Sequence, residues 1–161
     1  MKIWTVNDKK EEKVLRHKTA AFDFSAEGGS ASGGKKLKKS EINELIKTMK
    51  VAMEEAQGIG LSANQIGLNL KVFVAKVENK FYVVFNPEII KSGSSAIAAE
   101  EGCLSIPNIY GEVIRPEKII LVGLDKNGKK MKIKAWGMLA RVFQHEVDHL
   151  EGKLFTDRIK K

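Results

Sequence analysis

The sequence has one cysteine and three prolines, and aromatic residues make up only 7% of it. A lone Cys cannot form an internal disulfide, which suits a reducing compartment. No stretch approaches the roughly 20 consecutive apolar residues of a membrane-spanning helix. Residues 1–18 mix Trp4 and Val6 with acids and bases and lack the apolar run of a secretory leader. The expectation is a soluble, cytoplasmic protein without membrane contact. The Gly-rich segment 58–67 matches neither the dinucleotide fingerprint nor the P-loop, which sets nucleotide chemistry aside. No His follows His149, so the extended zinc-peptidase motif with a third downstream His is missing.

What is present fits a single catalytic domain over residues 1–161, with an ordinary hydrophobic content of 43%. Residues 25–36 are a low-complexity Gly/Ser/Ala stretch, expected as a mobile loop. Between 40 and 57, Ile42, Leu45, Ile46, Met49, Ala52, Met53 and Ala56 recur at three and four. They predict an amphipathic helix with Ser40 as N-cap and Gly58 as its stop. Strand-like runs follow at 72–75, 81–85 and 119–124, the last turning at Asn127-Gly128 into 131–135, a hairpin signal. Asn86-Pro87 and Arg115-Pro116 read as strand ends or bends. A second helix is expected over 137–150, ending at Gly152. The fold class is α+β, with mostly antiparallel sheets around that C-terminal helix.

The most constraining segment is Gln144-His145-Glu146-Val147-Asp148-His149-Leu150. Residues four apart share a helix face, so the imidazoles of His145 and His149 can converge on one ion while Glu146 handles a proton. A catalytic site of this kind takes a third protein ligand and keeps one position open. Cys103, in Glu100-Glu101-Gly102-Cys103-Leu104-Ser105, is the natural candidate as a soft thiolate donor; Glu151 and Asp157 stay open by counting alone. In Gly58-Ile59-Gly60-Leu61-Ser62-Ala63-Asn64-Gln65, glycines flanking one apolar residue suggest backbone that a ligand approaches closely. Gln65 offers an amide donor to a reacting oxygen. The net charge of +8 includes clusters at Lys35-Lys36, at Lys129 to Lys134 and at Arg158 to Lys161. Such surfaces attract polyanions.

Taken in order, the segments at 58–65, 101–105 and 144–150 closely resemble the three signature motifs of the bacterial peptide deformylases. The resemblance implies removal of the formyl group from formyl-methionyl nascent peptides, with release of formate. It implies Cys103, His145 and His149 as metal ligands, Glu146 as general acid/base, and the Gln65 amide with the Leu104 main-chain N–H as donors to the formyl oxygen. The peptide would lie extended against Ile59, Gly60 and Gly102, and Arg141 and Val142 would stand at the pocket wall. The metal implied is ferrous iron, with zinc, nickel or cobalt as alternatives. For partners, the expectation is the formyl-methionyl peptide, a weak electrostatic contact with the ribosome, and action as a monomer. Ser62 stands where the family more often carries Ala and adds a hydroxyl near the site. Leu15-Arg16 matches the family's N-terminal pair, but no Pro precedes Pro87, so residues 1–24 depart from its pattern. A metallopeptidase, which would also use Glu146 with a bound water, and a non-enzymatic metal-stapled or RNA-binding module are the rival classes.

Overall fold

The computed structural model describes residues 1–24, 30–31 and 37–159. The loop expected at 25–36 therefore lies outside the described residues, except for Ser30 and Ala31. Lys35, Lys36, Lys160 and Lys161 of the basic clusters lie outside them too. Along the chain come α1 (Lys9–Leu15), β1 (Phe22–Asp23), β2 (Ser30–Ala31), α2 (Lys39–Glu55) and β3 (Gly60–Ser62). A one-turn 3-10 helix (Ala63–Ile66) precedes β4 (Val72–Val77), β5 (Lys80–Ser92), β6 (Ala96–Cys103) and β7 (Ile106–Pro116). Then come β8 (Lys118–Leu124), β9 (Lys130–Trp136), α3 (Gly137–Leu150) and a last 3-10 turn (Phe155–Asp157).

The class is α+β, as expected. β3-β4-β5-β8-β9 form a five-stranded antiparallel sheet, and β6-β7 form a separate hairpin. Strand β4 explains how the main sheet is buried on both sides. Successive strand residues face opposite ways, so Val72 and Val74 pack with Ile42, Met49 and Met53 of α2. Phe73 and Ala75 pack with Ala140, Phe143 and Leu150 of α3. A third cluster, Ile106, Val113, Leu154 and Phe155, seats the β6-β7 hairpin on the C-terminal turn.

Several elements differ from expectation. Helix α2 begins at Lys39, and Lys38 is its N-cap in place of Ser40: the Glu41 carboxylate accepts the Lys38 N–H at 2.7 Å. The helix stops because Gln57, not Gly58, takes a left-handed conformation (φ 55°). Strand β5 runs on through Asn86-Pro87 because a register shift there lets the chain bulge while pairing continues. At that bulge the Asn86 side chain exchanges two hydrogen bonds of 2.7 Å with the Phe22 backbone and so anchors β1. The hairpin β6-β7 was not foreseen, since Ala96-Ile97-Ala98-Ala99-Glu100-Glu101 is poor in strand formers.

Neither was α1, capped by Asp8, whose carboxylate accepts the N–H of Lys10 (2.7 Å) and Glu11 (3.2 Å). The N-terminal stretch braces the site region, for Trp4 N–H donates to Gln65 O at 2.7 Å and Val6 N–H to Ser105 O at 3.0 Å. Strand β9 is an edge of the main sheet, and its exposed side chains are Lys130, Lys132, Lys134 and Trp136.

Candidate active site

Helix α3 carries a buried apolar face, which fixes its rotation against the main sheet and turns His145, Glu146 and His149 toward the β6-β7 hairpin and β3. The end of β6 brings Cys103 to the same point. Its Sγ lies 3.1 Å from His149 Nε2, which is 3.2 Å from His145 Nε2. The three donor atoms all fall within 4.8 Å of one another. Around a tetrahedral ion held at the usual bond lengths, such donors would stand about 3.3–3.6 Å apart, and the Cys103–His149 and His149–His145 separations lie within tenths of an ångström of that range. Glu151 and Asp157, left open by spacing, are committed elsewhere: Glu151 pairs with Lys18 and Lys71, and Asp157 with Arg16.

The surroundings hold these three donors in place. Glu101 Oε2 sits 3.1 Å from His145 Nδ1. A carboxylate accepts only, so a proton resides on Nδ1, the arrangement that leaves Nε2 as the nitrogen able to meet an ion. Glu101 is held in turn by Arg115, whose Nε and Nη2 donate to its two oxygens at 2.6 and 2.9 Å, and by Arg141 Nη1 at 2.6 Å. Arg115 also reaches Asp148 (2.8 Å), which accepts two bonds of 2.6 Å from Arg158. Burial would raise the Glu101 carboxyl, but its bonds from His145 and Arg115 hold it well below the usual carboxylate range. Burial likewise would raise the Cys103 thiol, yet the facing imidazoles of His149 and His145 bring it down, which favours the ligating thiolate.

Glu146 lies in a cradle made by β3. A Cβ on Gly60 would fall 2.3 Å from Glu146 Oε1, so the carboxylate occupies the space that only glycine leaves open. The other oxygen, Oε2, accepts a 2.6 Å bond from Ser62 Oγ. Burial pushes the Glu146 carboxyl up, with His145 and His149 pulling the other way. Gln65 is aimed by its own backbone neighbourhood. Its Oε1 accepts the Ser62 N–H at 2.9 Å, and its Nε2 donates to Ser105 Oγ at 3.1 Å, 3.7 Å from Cys103 Sγ.

A cavity of about 580 Å³ opens onto these groups. Ile59, Gly60, Gln65, Gly102, Leu104, Arg141, Val142, His145 and Glu146 all line it, as does Cys103; His149 lies behind, 1% exposed. Arg141 lines the wall but is engaged, donating to Glu101 and to the carbonyls of Val113 (3.0 Å) and Ile97 (2.6 Å). Sequence reasoning missed Glu101, Arg115, Asp148 and Ser105 as supports, and Tyr110 and Met138 as walls. Glu101 stands two residues before Cys103, but the weak strand signal of this run and the register shift between Gly102 and Cys103 hide that they meet the same site.

The model of the polypeptide deformylase family matches residues 6–161. A peptide deformylase of Picosynechococcus is 46% identical over 125 residues, covering 74% of this chain and 67% of the relative. One of Treponema pallidum is 45% identical over 124 residues, covering 74% of this chain and 76% of the relative. Among solved structures, the peptide deformylase of Thermotoga maritima superposes with a TM-score of 0.84 at 33% identity, covering 99% of this chain and 97% of that one. That of Synechococcus elongatus, in complex with actinonin, gives 0.84 at 34% identity, covering 100% and 79%. With the Cys103, His145 and His149 cluster, the Glu146 cradle and these likenesses in agreement, the chain belongs to the polypeptide deformylase family.

Proposed function

We propose that Cys103, His145, His149, Glu146, Gln65 and Leu104 carry out the reaction that family membership assigns to this chain, removal of the N-formyl group from nascent peptides with release of formate. The observation that carries the assignment is the convergence of one thiol and two imidazoles beside a carboxylate at the floor of the cavity.

Cys103, His145 and His149 would hold a divalent ion, for which ferrous iron is our choice on the resemblance of the motifs. Such an ion, when bound, supplies Lewis acidity that makes water a nucleophile near neutral pH. Glu146 takes the proton from the attacking water and returns it to the departing amine, a role served by a carboxyl whose proton affinity burial has raised. The Gln65 amide and the Leu104 N–H meet the formyl oxygen as negative charge develops on it. An extended peptide would lie along the backbone at Gly60 and Gly102, with Ile59 and Val142 giving apolar contact to its first side chain. The net charge of +8 supports a weak, salt-sensitive contact with ribosomal RNA, and the reduced thiol supports a cytoplasmic location.

Formate release from formyl-Met-Ala-Ser tests the reading. Anaerobically prepared, metal-quantified protein should release it, chelation should stop it, and Glu146→Ala should lose at least a hundredfold in kcat while retaining metal. A Glu146→Ala variant that keeps native kcat would remove Glu146 from the mechanism.

A further inference from the structure

Ser62 ends strand β3 with a fully buried side chain. Its Oγ lies 2.6 Å from Glu146 Oε2 and 3.0 Å from the Glu146 carbonyl oxygen. Among the described residues it is the one hydrogen-bond donor to that carboxylate. Its main-chain N–H meanwhile holds Gln65 Oε1 at 2.9 Å. One residue thus touches both groups that work on the formyl carbon, the first by a side chain that the sequence could omit and the second by a backbone that it could not.

The helix fixes the stem of Glu146, but the last torsion of a Glu side chain is broad, and packing alone sets the plane of the carboxylate poorly. Gly60 makes room for Oε1 and exerts no pull on it. The tether comes from the hydroxyl. We infer that Ser62 is a positioning residue for deformylation: its Oγ fixes the plane of the Glu146 carboxylate, leaving Oε1, which lies over Gly60 at the cavity wall, as the oxygen that exchanges the proton. The inference rests on the reading of Glu146 given above. Alanine in this place would keep the packing and free the carboxylate to turn. Small departures from a productive geometry are costly in rate, up to a hundredfold for displacements near 1 Å.

The test compares Ser62→Ala, Glu146→Gln and the double variant, each loaded with nickel and assayed for formate. Ser62→Ala should lower kcat about tenfold, with KM and metal content within twofold of the wild type, because neither the peptide cleft nor the ligands are touched. In the Glu146→Gln background the same change should have no further effect, since Ser62 acts through the carboxylate. A crystal structure of Ser62→Ala should show the Glu146 carboxylate turned out of its cradle. Native kcat in Ser62→Ala, an equal loss in both backgrounds, or an unmoved carboxylate would each overturn the inference. If Glu146→Gln itself keeps native kcat, the failure belongs to the assignment of Glu146.

Discussion

Gly60 and Glu146 show how far a single residue can be read in advance. From sequence, Gly60 stood out as bare backbone suited to an approaching ligand, and the structure adds that it faces the enzyme's own carboxylate. Gly60→Ala should therefore cut kcat at least tenfold while metal content stays unchanged, because the new methyl must displace Oε1. Steady-state kinetics beside metal analysis decides it, and a native kcat would mean that Glu146 works from some other position. The two imidazoles proposed as ligands were legible because their spacing is a property of the helix: a four-residue separation places His145 and His149 on one face wherever that helix lies. Ser62 was legible only as an extra hydroxyl, since its partner lies far along the chain. The Arg115–Glu101–His145 relay was not legible, as Arg115 carries no local signal that it turns inward.

At the level of elements, the long helices and the β8-β9 hairpin could be read because periodicity and an Asn-Gly turn are local features. The β6-β7 hairpin could not, because β6 is poor in strand formers and the apolar cluster and ion pairs that seat the hairpin come from distant elements. Arg115, 2% exposed, ties β7 to Glu101 on β6 and to Asp148 on α3. Removing one partner from such a buried group leaves charges without compensation. Arg115→Leu should destabilise the fold by about 3 kcal/mol in urea unfolding and weaken metal affinity tenfold or more, since Glu101 then orients His145 less firmly. The remaining bonds from Arg141 and Arg158 keep the effect near the low end of the range. Unchanged stability would show that the network contributes geometry alone.

For the whole molecule, the class could be foreseen but the strand order could not. The apolar run of β4 announces burial on both faces, yet nothing local says that β8 crosses over to pair with β5 while β6 and β7 form a sheet of their own. Acid stability is set at this scale. Glu101, Glu151 and Asp157 all have folded-state values held below those of ordinary carboxylates, by their His, Lys and Arg partners against the opposing effect of burial. A depressed carboxyl contributes stability that is present above its unfolded pKa, near 4, and is lost as pH falls through the folded value. The urea midpoint should thus fall progressively below about pH 4.5. Glu101→Gln should flatten that fall while lowering the midpoint at neutral pH; an unaltered pH slope would exclude Glu101 as a source of acid sensitivity.

Among the described residues no strand pairs with the outer side of β9, and this bears on how molecules of this protein meet. An open strand edge invites a neighbour to add its own strand. Here the arriving chain would confront Lys130, Lys132 and Lys134 in a row with like charges of its own. That barrier is made of repulsion rather than shape, so it reaches only as far as the ionic atmosphere allows, about 10 Å at 0.1 M salt and about 3 Å at 1 M. Edge pairing is therefore expected to be opposed in dilute buffer and to lose that opposition in concentrated salt, where Trp136, 68% exposed, would be the apolar group left at the border.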